Sequence, residues 1–443
     1  MKNHYIRNLI LCSLSGVLLL SGCGKKEISE EPSTPVEETP ADIPVVDWYT
    51  VASESAARNY VEPPKPDRIT LMSLGDCLMH MGVVNSGAQA DGSYNYDFLF
   101  REIAPTLASA DIKVINQETI LGGNDRGFSG YPAFNSPTQV GDAIVNAGFN
   151  VVLHATNHAD DMGLLGIENC LAYWDTQPSM TVVGIGPQTE IPILTIEDTT
   201  FALLNYTYSV NTEVIPSNVV DQVNWLCNYD PGSRQLDFNT IHPKVLDDIK
   251  LADQIADVVI VFPHWGVEYT LTETSVQDQM AQQMADAGAD LIIGTHPHVP
   301  EPIRWLKGAG GNDCLCYFSL GNFVSTQQDT PRMLGGMAWV TFEISKDEVT
   351  IVKEDSGVIP VVTHYTNGPT RVETTYFLES YPAEKAANHG VNAYANCTWD
   401  KLDSIAKQVF GEYIMTVDEA LATKDNAVGS DTYNYTKIQI IRD

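Results

Sequence analysis

From about residue 68 onward, short apolar runs alternate with stretches of helical spacing. Apolar runs at residues 69–74, 114–115, 150–153, 201–206, 258–262 and 291–293 predict buried strands. Between them, residues 98–109, 137–147, 163–175, 245–256 and 275–287 have the spacing of helices, and Gly148 and Gly288 are placed to end two of these. This alternation predicts an α/β fold.

The pattern changes towards the C-terminus. Residues 337–344 and 349–362 alternate with period two, which predicts antiparallel strands. Residues 207–239 are rich in Asn, Pro and Gly and are predicted to be irregular. Residues 366–443 are polar, with a weak helical signal at 401–413, and we expect them to form a C-terminal extension of unclear role.

The first 22 residues have the pattern of a signal peptide. Lys2 and Arg7 precede an apolar run at residues 9–20, which is short for a membrane span. The run ends in Leu20-Ser21-Gly22-Cys23, which resembles the lipobox of bacterial lipoproteins. That resemblance implies cleavage before Cys23 and lipidation of its thiol, while an ordinary secretory signal with an incidental cysteine stays open. We therefore expect the protein at the outer face of the bacterial cell membrane.

Residues 23–66 are predicted to be a lipid-anchored, disordered tether. Glutamate and proline are frequent there and large apolar side chains are few, so the stretch buries too little surface to offset its ordering entropy. The whole chain carries a formal net charge of -32. This charge argues against a nucleic-acid partner, because neutralising phosphates requires Lys and Arg. A polyanionic substrate would need local attraction, from metal ions, rather than attraction by the overall field.

The cysteines after Cys23 show no spacing typical of a disulfide framework or a zinc ribbon. We expect most of them to be small buried hydrophobic residues, and one or two disulfides stay open. These cysteines are Cys77, Cys170, Cys227, Cys314, Cys316 and Cys397.

Five segments carry side chains that bind metals, and each lies where a predicted strand ends. They are Gly75-Asp76, Asn116-Gln117-Glu118, Asn157-His158, His264-Trp265-Gly266 and His296-Pro297-His298. Polar side chains at the carboxyl ends of strands are the usual way in which an α/β fold builds a site. Carboxylate, amide and imidazole groups together predict a shared metal centre, and two carboxylates suit a pair of divalent cations.

Each segment also has an ordinary structural interpretation. Asp76 can be a turn residue, and His264 can be a core histidine bonded to the backbone. Asn157 and His158 can form a turn at a helix entrance, with Asp161 as the N-cap. The common position of all five segments at strand ends favours the metal centre.

Together with Ser319-Leu320-Gly321-Asn322-Phe323, these motifs resemble the poly-gamma-glutamate capsule biosynthesis family of CapA type, in unbroken order over residues 69–325. That family is similar in fold to calcineurin-like metallophosphatases. The resemblance implies a metallophosphatase-like four-layer α-β-β-α sandwich over residues 67–365, followed by the small extension at 366–443. It also implies one or two divalent metal ions (Mn, Fe or Zn) as cofactors.

The resemblance assigns roles to individual residues. The metal ligands that it implies are Asp76, Glu118, Asn157, His264, His296 and His298. As catalytic residues it implies His158, which moves a proton, with Asn116 and Asn322 positioning groups nearby. The sequence departs from the phosphatase pattern at Leu78, where a His is expected, and Glu118 stands where an Asp is expected. The missing His weakens one metal site, so a single tightly bound ion stays open.

The function implied is the synthesis, export, processing or anchoring of poly-gamma-glutamate or a similar capsule polymer, by metal-assisted hydrolysis or transfer. The expected partners are an extracellular anionic polymer or its glutamyl chain, membrane capsule-synthesis proteins and, through the lipid on Cys23, the membrane. Two alternatives stay open. One is a non-catalytic accessory or polymer-binding subunit of a capsule synthesis complex, and the other is a metal-dependent phosphoesterase acting on cell-wall substrates.

Overall fold

The computed structural model describes residues 68–187, 190–196, 198–345, 348–424 and 433–439, the last range for its backbone alone. These residues belong to one unit of the chain, which begins at Pro64. The signal peptide, the lipid site at Cys23 and the tether expected up to residue 66 lie outside the described residues. Within the described ranges, no helix is both long enough and apolar enough to cross a membrane.

The elements alternate along the chain as the apolar pattern predicts. The strands are β1 (Arg68–Cys77), β2 (Ile112–Asn116), β3 (Val151–Leu153), β4 (Thr181–Val183), β5 (Glu190–Ile196), β6 (Thr199–Thr207), β7 (Cys227–Tyr229), β8 (Leu236–Ile241), β9 (Val258–His264), β10 (Leu291–Ile293), β11 (Ile303–Lys307), β12 (Asp313–Tyr317), β13 (Asn322–Val324), β14 (Leu334–Ile344), β15 (Val349–Ile351), β16 (Gly357–Thr366), β17 (Arg371–Phe377) and β18 (Tyr433–Gln439). The helices are α1 (Met81–Ser86), α2 (Ala104–Leu107), α3 (Gln139–Ala147), α4 (Gly163–Trp174), α5 (Pro243–Ile255), α6 (Ser275–Ala287), α7 (Ala383–Ala387), α8 (Trp399–Phe410) and α9 (Val417–Ala422).

Two mixed sheets form the centre of the fold. The first has the order β17-β16-β14-β1-β2-β3-β4, with β13 beside β1 and β15 beside β14, and the second has the order β11-β12-β10-β9-β6-β5-β18. Strands β1 to β4 are parallel to one another, as are β6, β9, β10 and β12. The antiparallel strands predicted after residue 337 lie at one side of the first sheet.

The sheets pack face to face across one apolar core. Phe201 of β6 meets Phe342 of β14 with ring centroids 5.2 Å apart, and the hydroxyl of Tyr317 in β12 donates to the carbonyl of Gly357 in β16. On its other face the second sheet packs against α5 and α6, while α3 and α8 contribute to the core of the first sheet. The result is the four-layer α-β-β-α sandwich expected from the sequence. A strand that is covered on both faces has apolar side chains at consecutive positions, and this explains the short apolar runs in the sequence.

Helix ends follow local signals. Helix α6 begins with a capping box, in which the side chains of Thr274 and Gln277 each accept a hydrogen bond from the other residue's backbone N–H. It ends at Gly288, whose φ of 113° lies in the left-handed region that glycine adopts without strain, and Gly148 (φ 94°) ends α3 in the same way. The region predicted to be irregular between residues 207 and 239 contains strand β7 and the start of β8, which form a two-stranded hairpin.

Strands of the C-terminal region pair with both sheets of the sandwich. The boundary placed between residues 365 and 366 cuts the antiparallel hairpin of β16 and β17, since β16 continues to Thr366. Strand β18 pairs with β5 at the edge of the second sheet, and α8 buries Leu402 and Phe410 in the common core. The polar composition of this region obscured its role, because helices α7 and α9 each bury one residue, Ala386 and Ala420.

A buried ion pair joins this region to the first sheet. The Lys424 ammonium lies 2.8 Å from the Asp111 carboxylate, and the two side chains are 6% and 0% exposed. The other oxygen of Asp111 accepts from both the backbone N–H and the hydroxyl of Thr70 in β1. The hydroxyl of the neighbouring Thr423 accepts from the indole N–H of Trp339 in β14.

We expect Lys424→Met to lower the free energy of unfolding by about 3 kcal/mol, because it removes the ammonium partner of a buried carboxylate. The measurement is chemical denaturation followed by tryptophan fluorescence. Lys401→Met on the exposed side of α8 is the matched control, and its expected effect is within about 0.5 kcal/mol. Equal stability of the two variants would contradict this role of Lys424.

A second buried carboxylate makes stability depend on pH. Glu301 follows the loop after β10, and its Oε2 accepts from Gln277 Nε2 at 2.7 Å while its Oε1 has no hydrogen-bond partner. Burial raises the pKa of Glu301 to about 8, with the Gln277 hydrogen bond opposing this rise and Glu273 adding to it. The folded protein therefore binds a proton that the unfolded chain releases near its ordinary pKa of about 4.3.

The stabilising contribution of this proton is complete below about pH 4.5 and is lost as the pH rises through about 8. We therefore expect Glu301→Gln, which stays neutral, to become more stable than the wild type as the pH rises from 5 to 9. Unfolding free energies measured across this range test it, with Glu412→Gln at an exposed site as control. If the difference in unfolding free energy between Glu301→Gln and the wild type stayed constant from pH 5 to 9, the raised pKa of Glu301 would be refuted.

Candidate metal centre

The predicted site residues lie at the carboxyl ends of parallel strands in both sheets. In the first sheet, Asp76 near the end of β1 is in register with Asn116 of β2 and with Asn322 of β13. In the second sheet, His264 ends β9, and the segment His296–His298 follows β10. Because the strands run parallel within each sheet, their carboxyl ends share one edge, and these two edges meet.

Glycines allow the strand ends to approach one another. A Cβ at Gly75 would lie 1.9 Å from the carbonyl oxygen of Gly321, and one at Gly294 would lie 2.0 Å from that of Phe318. Such distances are far below van der Waals contact, so neither position accepts a side chain without moving the backbone. Gly75 and Gly294 therefore allow the backbone segments beneath the site to pack closely.

Asp76 is held by several hydrogen bonds. Its Oδ1 accepts from Asn116 Nδ2 at 2.9 Å, and its Oδ2 lies 3.1 Å from His298 Nδ1. The backbone N–H of His296 lies 3.3 Å from both carboxylate oxygens. Asp76 thus links the first sheet to the loop of the second sheet that carries His296 and His298. Asn116 orients the Asp76 carboxylate.

Glu118 lies at the middle of the site. Its Oε1 is 3.6 Å from His298 Nε2, 3.9 Å from His264 Nε2 and 4.0 Å from His158 Nε2. All three distances exceed that of a hydrogen bond, and neither carboxylate oxygen has a hydrogen-bond partner although the side chain is fully buried. Burial raises the pKa of Glu118 well above its ordinary value, with His298 opposing the shift and Asp76 adding to it.

Asn157 and His264 point at each other from the two sheets. Asn157 Oδ1 lies 2.8 Å from His264 Nε2, and the other ring nitrogen of His264 lies 2.9 Å from Thr295 Oγ1. The amide of Asn157 is held in turn by Asn211, whose Oδ1 accepts from Asn157 Nδ2 and whose Nδ2 donates to the Asn157 carbonyl. Asn211 has a φ of 61°, a conformation that Asn tolerates better than most residues.

His296 and His298 have positive φ angles of 102° and 61°. These sparsely populated conformations turn both rings into the site and are typical of functional loops. The His296 ring packs against Tyr208 at 4.6 Å, and its Nδ1 is buried without a hydrogen-bond partner. Burial, reinforced by neighbouring histidines, lowers the pKa of His264 and of His296 well below the ordinary range, so both rings are neutral as ligation requires.

His298 has the opposite electrostatic environment. Burial acts to lower its pKa, but the carboxylates of Glu118 and Asp76 outweigh burial and raise the pKa to about 9. A proton on His298 therefore neutralises part of the buried negative charge in the absence of a cation. Because ligands must be deprotonated, a cation bound by His298 displaces that proton.

His158 is oriented by an acid on its far side. Its Nδ1 lies 2.8 Å from Asp161 Oδ2, which also accepts from the backbone N–H of Phe134, and the Phe134 ring packs edge-on against the imidazole at 4.6 Å. The other ring nitrogen, Nε2, faces Glu118. A histidine whose Nδ1 is fixed by a carboxylate presents one defined nitrogen to a reacting group.

These residues fit one or two metal ions. Two groups have potential ligand atoms within 4.8 Å of one another, and both include Glu118: one is Glu118, His264 and His296, and the other is Asp76, Glu118 and His298. Both oxygens of Glu118, which belong to both groups, and the Nδ1 of His296, which belongs to the first, are buried without hydrogen-bond partners. Since buried polar atoms are rarely left without partners, a divalent cation bound there would satisfy these atoms.

Several residues near the site that are not among the predicted ligands have structural roles. Leu78 stands where the phosphatase pattern has a His, and it is buried with its backbone N–H bonded to Val324. His154 accepts from the indole N–H of Trp174 at 2.8 Å and packs in the core, where burial lowers its pKa to about 3. His80 packs edge-on against Phe134 at 5.5 Å. The six cysteines after Cys23 are all buried with free thiols.

The structure also brings in residues that the sequence analysis did not assign. Thr295 and Asn211 hold His264 and Asn157, and Tyr208 packs on His296. The position of Thr295 directly before His296 was a local signal for its role. No local signal marked Asn211, because it reaches the site from the loop after β6.

Asn322 is joined to the site through His298. Its Oδ1 lies 3.2 Å from His298 Nδ1, and its Nδ2 donates to the carbonyl of His298 at 3.2 Å. It therefore fixes the position of the histidine ring. The structure brings all nine residues proposed from the sequence into one site: Asp76, Asn116, Glu118, Asn157, His158, His264, His296, His298 and Asn322.

Comparison with known proteins gives consistent matches. Residues 70–327 match the family described as bacterial capsule synthesis protein PGA_cap. A PGA biosynthesis protein CapA of Bacillus subtilis (strain 168) is 33% identical over 184 residues, which are 40% of this chain and 43% of the relative. A capsule biosynthesis protein CapA of Bacillus anthracis is 25% identical over 269 residues, 59% of this chain and 61% of the relative. The chain thus spans less than two thirds of both relatives.

Among solved structures, the calcineurin-like phosphoesterase YfkN from Bacillus subtilis aligns with a TM-score of 0.34 at 11% sequence identity. The alignment covers 77% of this chain and 96% of that chain.

The Thr295 contact generates a prediction about metal affinity. Thr295→Val removes the hydroxyl that contacts His264 Nδ1 and orients the ring, so we expect Mn²⁺ or Zn²⁺ to bind about 10- to 100-fold more weakly. Calorimetric titration of the chelator-treated protein measures this. Thr341→Val is the matched control, since Thr341 is equally buried but its hydroxyl bonds Asp355 far from the histidines. If Thr295→Val bound the metal ion with unchanged affinity, Thr295 would have no role in positioning His264.

Proposed function

The chain belongs to the bacterial capsule synthesis protein family PGA_cap, and from that premise we propose that it acts on poly-gamma-glutamate or a similar anionic capsule polymer by metal-assisted hydrolysis or transfer. The observation that carries the proposal is the buried cluster of carboxylates and imidazoles around Glu118. Two relatives are described by their names as biosynthesis proteins of PGA and of capsule, which supports this choice of polymer.

The residues divide into those that hold metal and those that handle protons. Asp76, Glu118, Asn157, His264, His296 and His298 provide the oxygen and nitrogen donors that Mn, Fe and Zn accept. When bound there, a divalent cation polarises a carbonyl or phosphoryl oxygen and lowers the pKa of a water molecule. Asn116 keeps Asp76 oriented, and Asn322 keeps His298 oriented.

His158 is the proposed proton carrier. Asp161 fixes its Nδ1, so that Nε2 is the nitrogen that exchanges a proton with a group entering the site. For cleavage of an amide, the leaving nitrogen must gain a proton, and His158 Nε2, which lies 4.0 Å from Glu118 Oε1, is the proposed donor. Phe134 and the buried surroundings of the ring limit the access of water.

We also propose the cellular context. The protein acts at the outer face of the bacterial cell membrane, held by a lipid on Cys23, with residues 24–66 as its tether. There it meets the polymer and membrane proteins of capsule synthesis. The lipobox-like Leu20-Ser21-Gly22-Cys23 supports this location.

One specific observation favours a non-catalytic accessory role as second candidate. Leu78 takes the place of a histidine ligand and is packed in the core, so the Asp76 side of the centre has one donor fewer than the phosphatase pattern. In that role the centre binds metal and polymer without chemistry. A functional test of His158 separates the two candidates, because an accessory protein has no need of a proton carrier.

Two variants test the proposal. His296→Ala removes a metal donor, and we expect the metal content of the purified chain, measured by elemental analysis, to fall at least about tenfold. His158→Ala leaves the donors in place, so metal content stays unchanged while turnover of poly-gamma-glutamate falls by about 10²- to 10⁴-fold. His242→Asn is the control, because His242 is the N-cap of α5 and asparagine also caps helices.

The outcomes are distinct. Unchanged metal content in His296→Ala would refute the metal centre. Full restoration of capsule by His158→Ala in a deletion strain would favour the accessory role. Turnover of a generic phosphodiester, but not of the polymer, with loss in His158→Ala would indicate a phosphoesterase acting on cell-wall substrates.

A further inference from the structure

An arginine lies beside the metal centre in a strongly acidic chain. The guanidinium carbon of Arg332 is 3.4 Å from the centroid of the Tyr269 ring. Tyr269 in turn stacks with the imidazole of His298, with centroids 6.0 Å apart and an angle of 28° between the planes. Arg332 is thus separated from a proposed metal ligand by a single aromatic ring.

The backbone around Arg332 is fixed by the same residues that fix the centre. Asn322 Nδ2, which bonds the carbonyl of His298, also donates to the carbonyl of Arg332 at 2.9 Å. The backbone N–H of Tyr269 donates to the carbonyl of Pro297, between the two histidines. Tyr269 has a φ of 68°, a strained conformation for a residue with a bulky side chain. This part of the loop structure holds Tyr269 and Arg332 against the centre.

The guanidinium lacks a carboxylate partner among the residues that the structure describes. Among the other described arginines, Arg68 pairs with Glu343 and Asp355, Arg101 with Glu102, and Arg304 with Glu273 and Asp278. Within the described ranges, Arg126, Arg234 and Arg371 also form no ion pair, but Arg332 alone of these four stacks on a ring that contacts a proposed metal ligand. No described acid pairs with Arg332, and its Nε is buried without a hydrogen-bond partner. In a chain with net charge -32, an arginine that forms no ion pair beside the proposed centre has donors available for a ligand.

We propose that Arg332 is a substrate-binding residue that pairs with a carboxylate of the polymer at the metal centre. This inference rests on the proposed function and names the chemical group that is recognised. In a γ-linked glutamyl chain, every residue keeps a free α-carboxylate on the carbon that carries the amide nitrogen. A carboxylate therefore lies two bonds from each amide nitrogen, where a guanidinium next to the centre binds it through two parallel hydrogen bonds.

Charge near the site explains why such a residue is needed. Asp76 and Glu118 lie in the centre, and Glu268 directly precedes Tyr269 in the chain. An anionic chain meets repulsion from these acids and from the acidic surface, so binding requires local positive charge. Arg332 supplies a permanent positive charge, and Tyr269 holds its guanidinium in place by a cation–π contact.

The experiment compares charged and neutral versions of one probe. The probes are a short γ-glutamyl oligomer and the same oligomer with its α-carboxyl groups converted to amides, titrated calorimetrically into the purified full chain loaded with Mn²⁺. We expect Arg332→Gln to weaken binding of the charged oligomer by about 10- to 100-fold while binding of the neutral oligomer changes less than about twofold. Arg332→Lys, which keeps the charge but loses the planar fork, should lie between.

Arg101→Gln is the matched control, since Arg101 is paired with Glu102 at the surface and contacts none of the proposed ligands. Equal weakening of both probes in Arg332→Gln would assign Arg332 a packing role and overturn the inference. Unchanged binding of the charged probe would overturn it too. In both of these results the wild-type chain still binds metal and the charged oligomer. Failure of the proposed function is different, because then the wild-type chain itself binds no metal or no charged oligomer.

Discussion

The buried carboxylate of Glu118 is the constraint on which the site depends. It is fully buried, three imidazole nitrogens lie 3.6–4.0 Å from its Oε1, and neither oxygen has a hydrogen-bond partner. Burying an unpaired carboxylate is strongly unfavourable, so the group must take a proton or a cation. The surrounding histidines are held by Thr295, Asn157 and Asn322, which leaves them poorly placed to bond Glu118 themselves. The fold therefore holds a buried cluster of ligand atoms whose unpaired charge a bound cation would offset.

Maintaining this arrangement requires close contact of the backbones of two sheets. Gly75 and Gly294 leave no room for a side chain, and His296 and His298 adopt positive φ angles. Such strain persists only where the surrounding structure enforces it. Here the enforcement comes from the packed sandwich: the apolar core between the sheets fixes the ends of β1 and β9, and the ligands follow. Stability and the geometry of the site are therefore coupled through the core.

Much of this arrangement could be predicted from the sequence, because its signals are local. Helix α6 lies where it was predicted, since Thr274 and Gly288 mark its ends, and the ligand segments follow apolar strands. Other parts depend on distant contacts. The helix predicted at residues 98–109 is reduced to the four-residue helix α2 (Ala104–Leu107), which has Pro105 in its first turn, where the missing backbone N–H is tolerated. The integration of residues 366–424 could not be predicted, because Lys424 finds Asp111 only in the folded chain. The contacts of Arg332 with Tyr269 are equally non-local.

The two groups of potential metal ligands that share Glu118 differ in how many of their ligand atoms already have hydrogen-bond or charge partners within the protein. Asp76 already accepts hydrogen bonds from Asn116 and the backbone of His296, and a proton on His298 offsets its charge. In the group of Glu118, His264 and His296, the imidazoles are neutral and Glu118 and His296 have unpartnered atoms. Since the unpartnered oxygens of Glu118 belong to both groups, it is the unpartnered Nδ1 of His296 that would favour a first cation at the group with His264 and His296. A second cation, beside Asp76, would have to displace the His298 proton and would lack the donor that Leu78 replaces. Leu78 lies outside the group of Glu118, His264 and His296, so this departure from the phosphatase pattern leaves the potential ligands of that group unchanged.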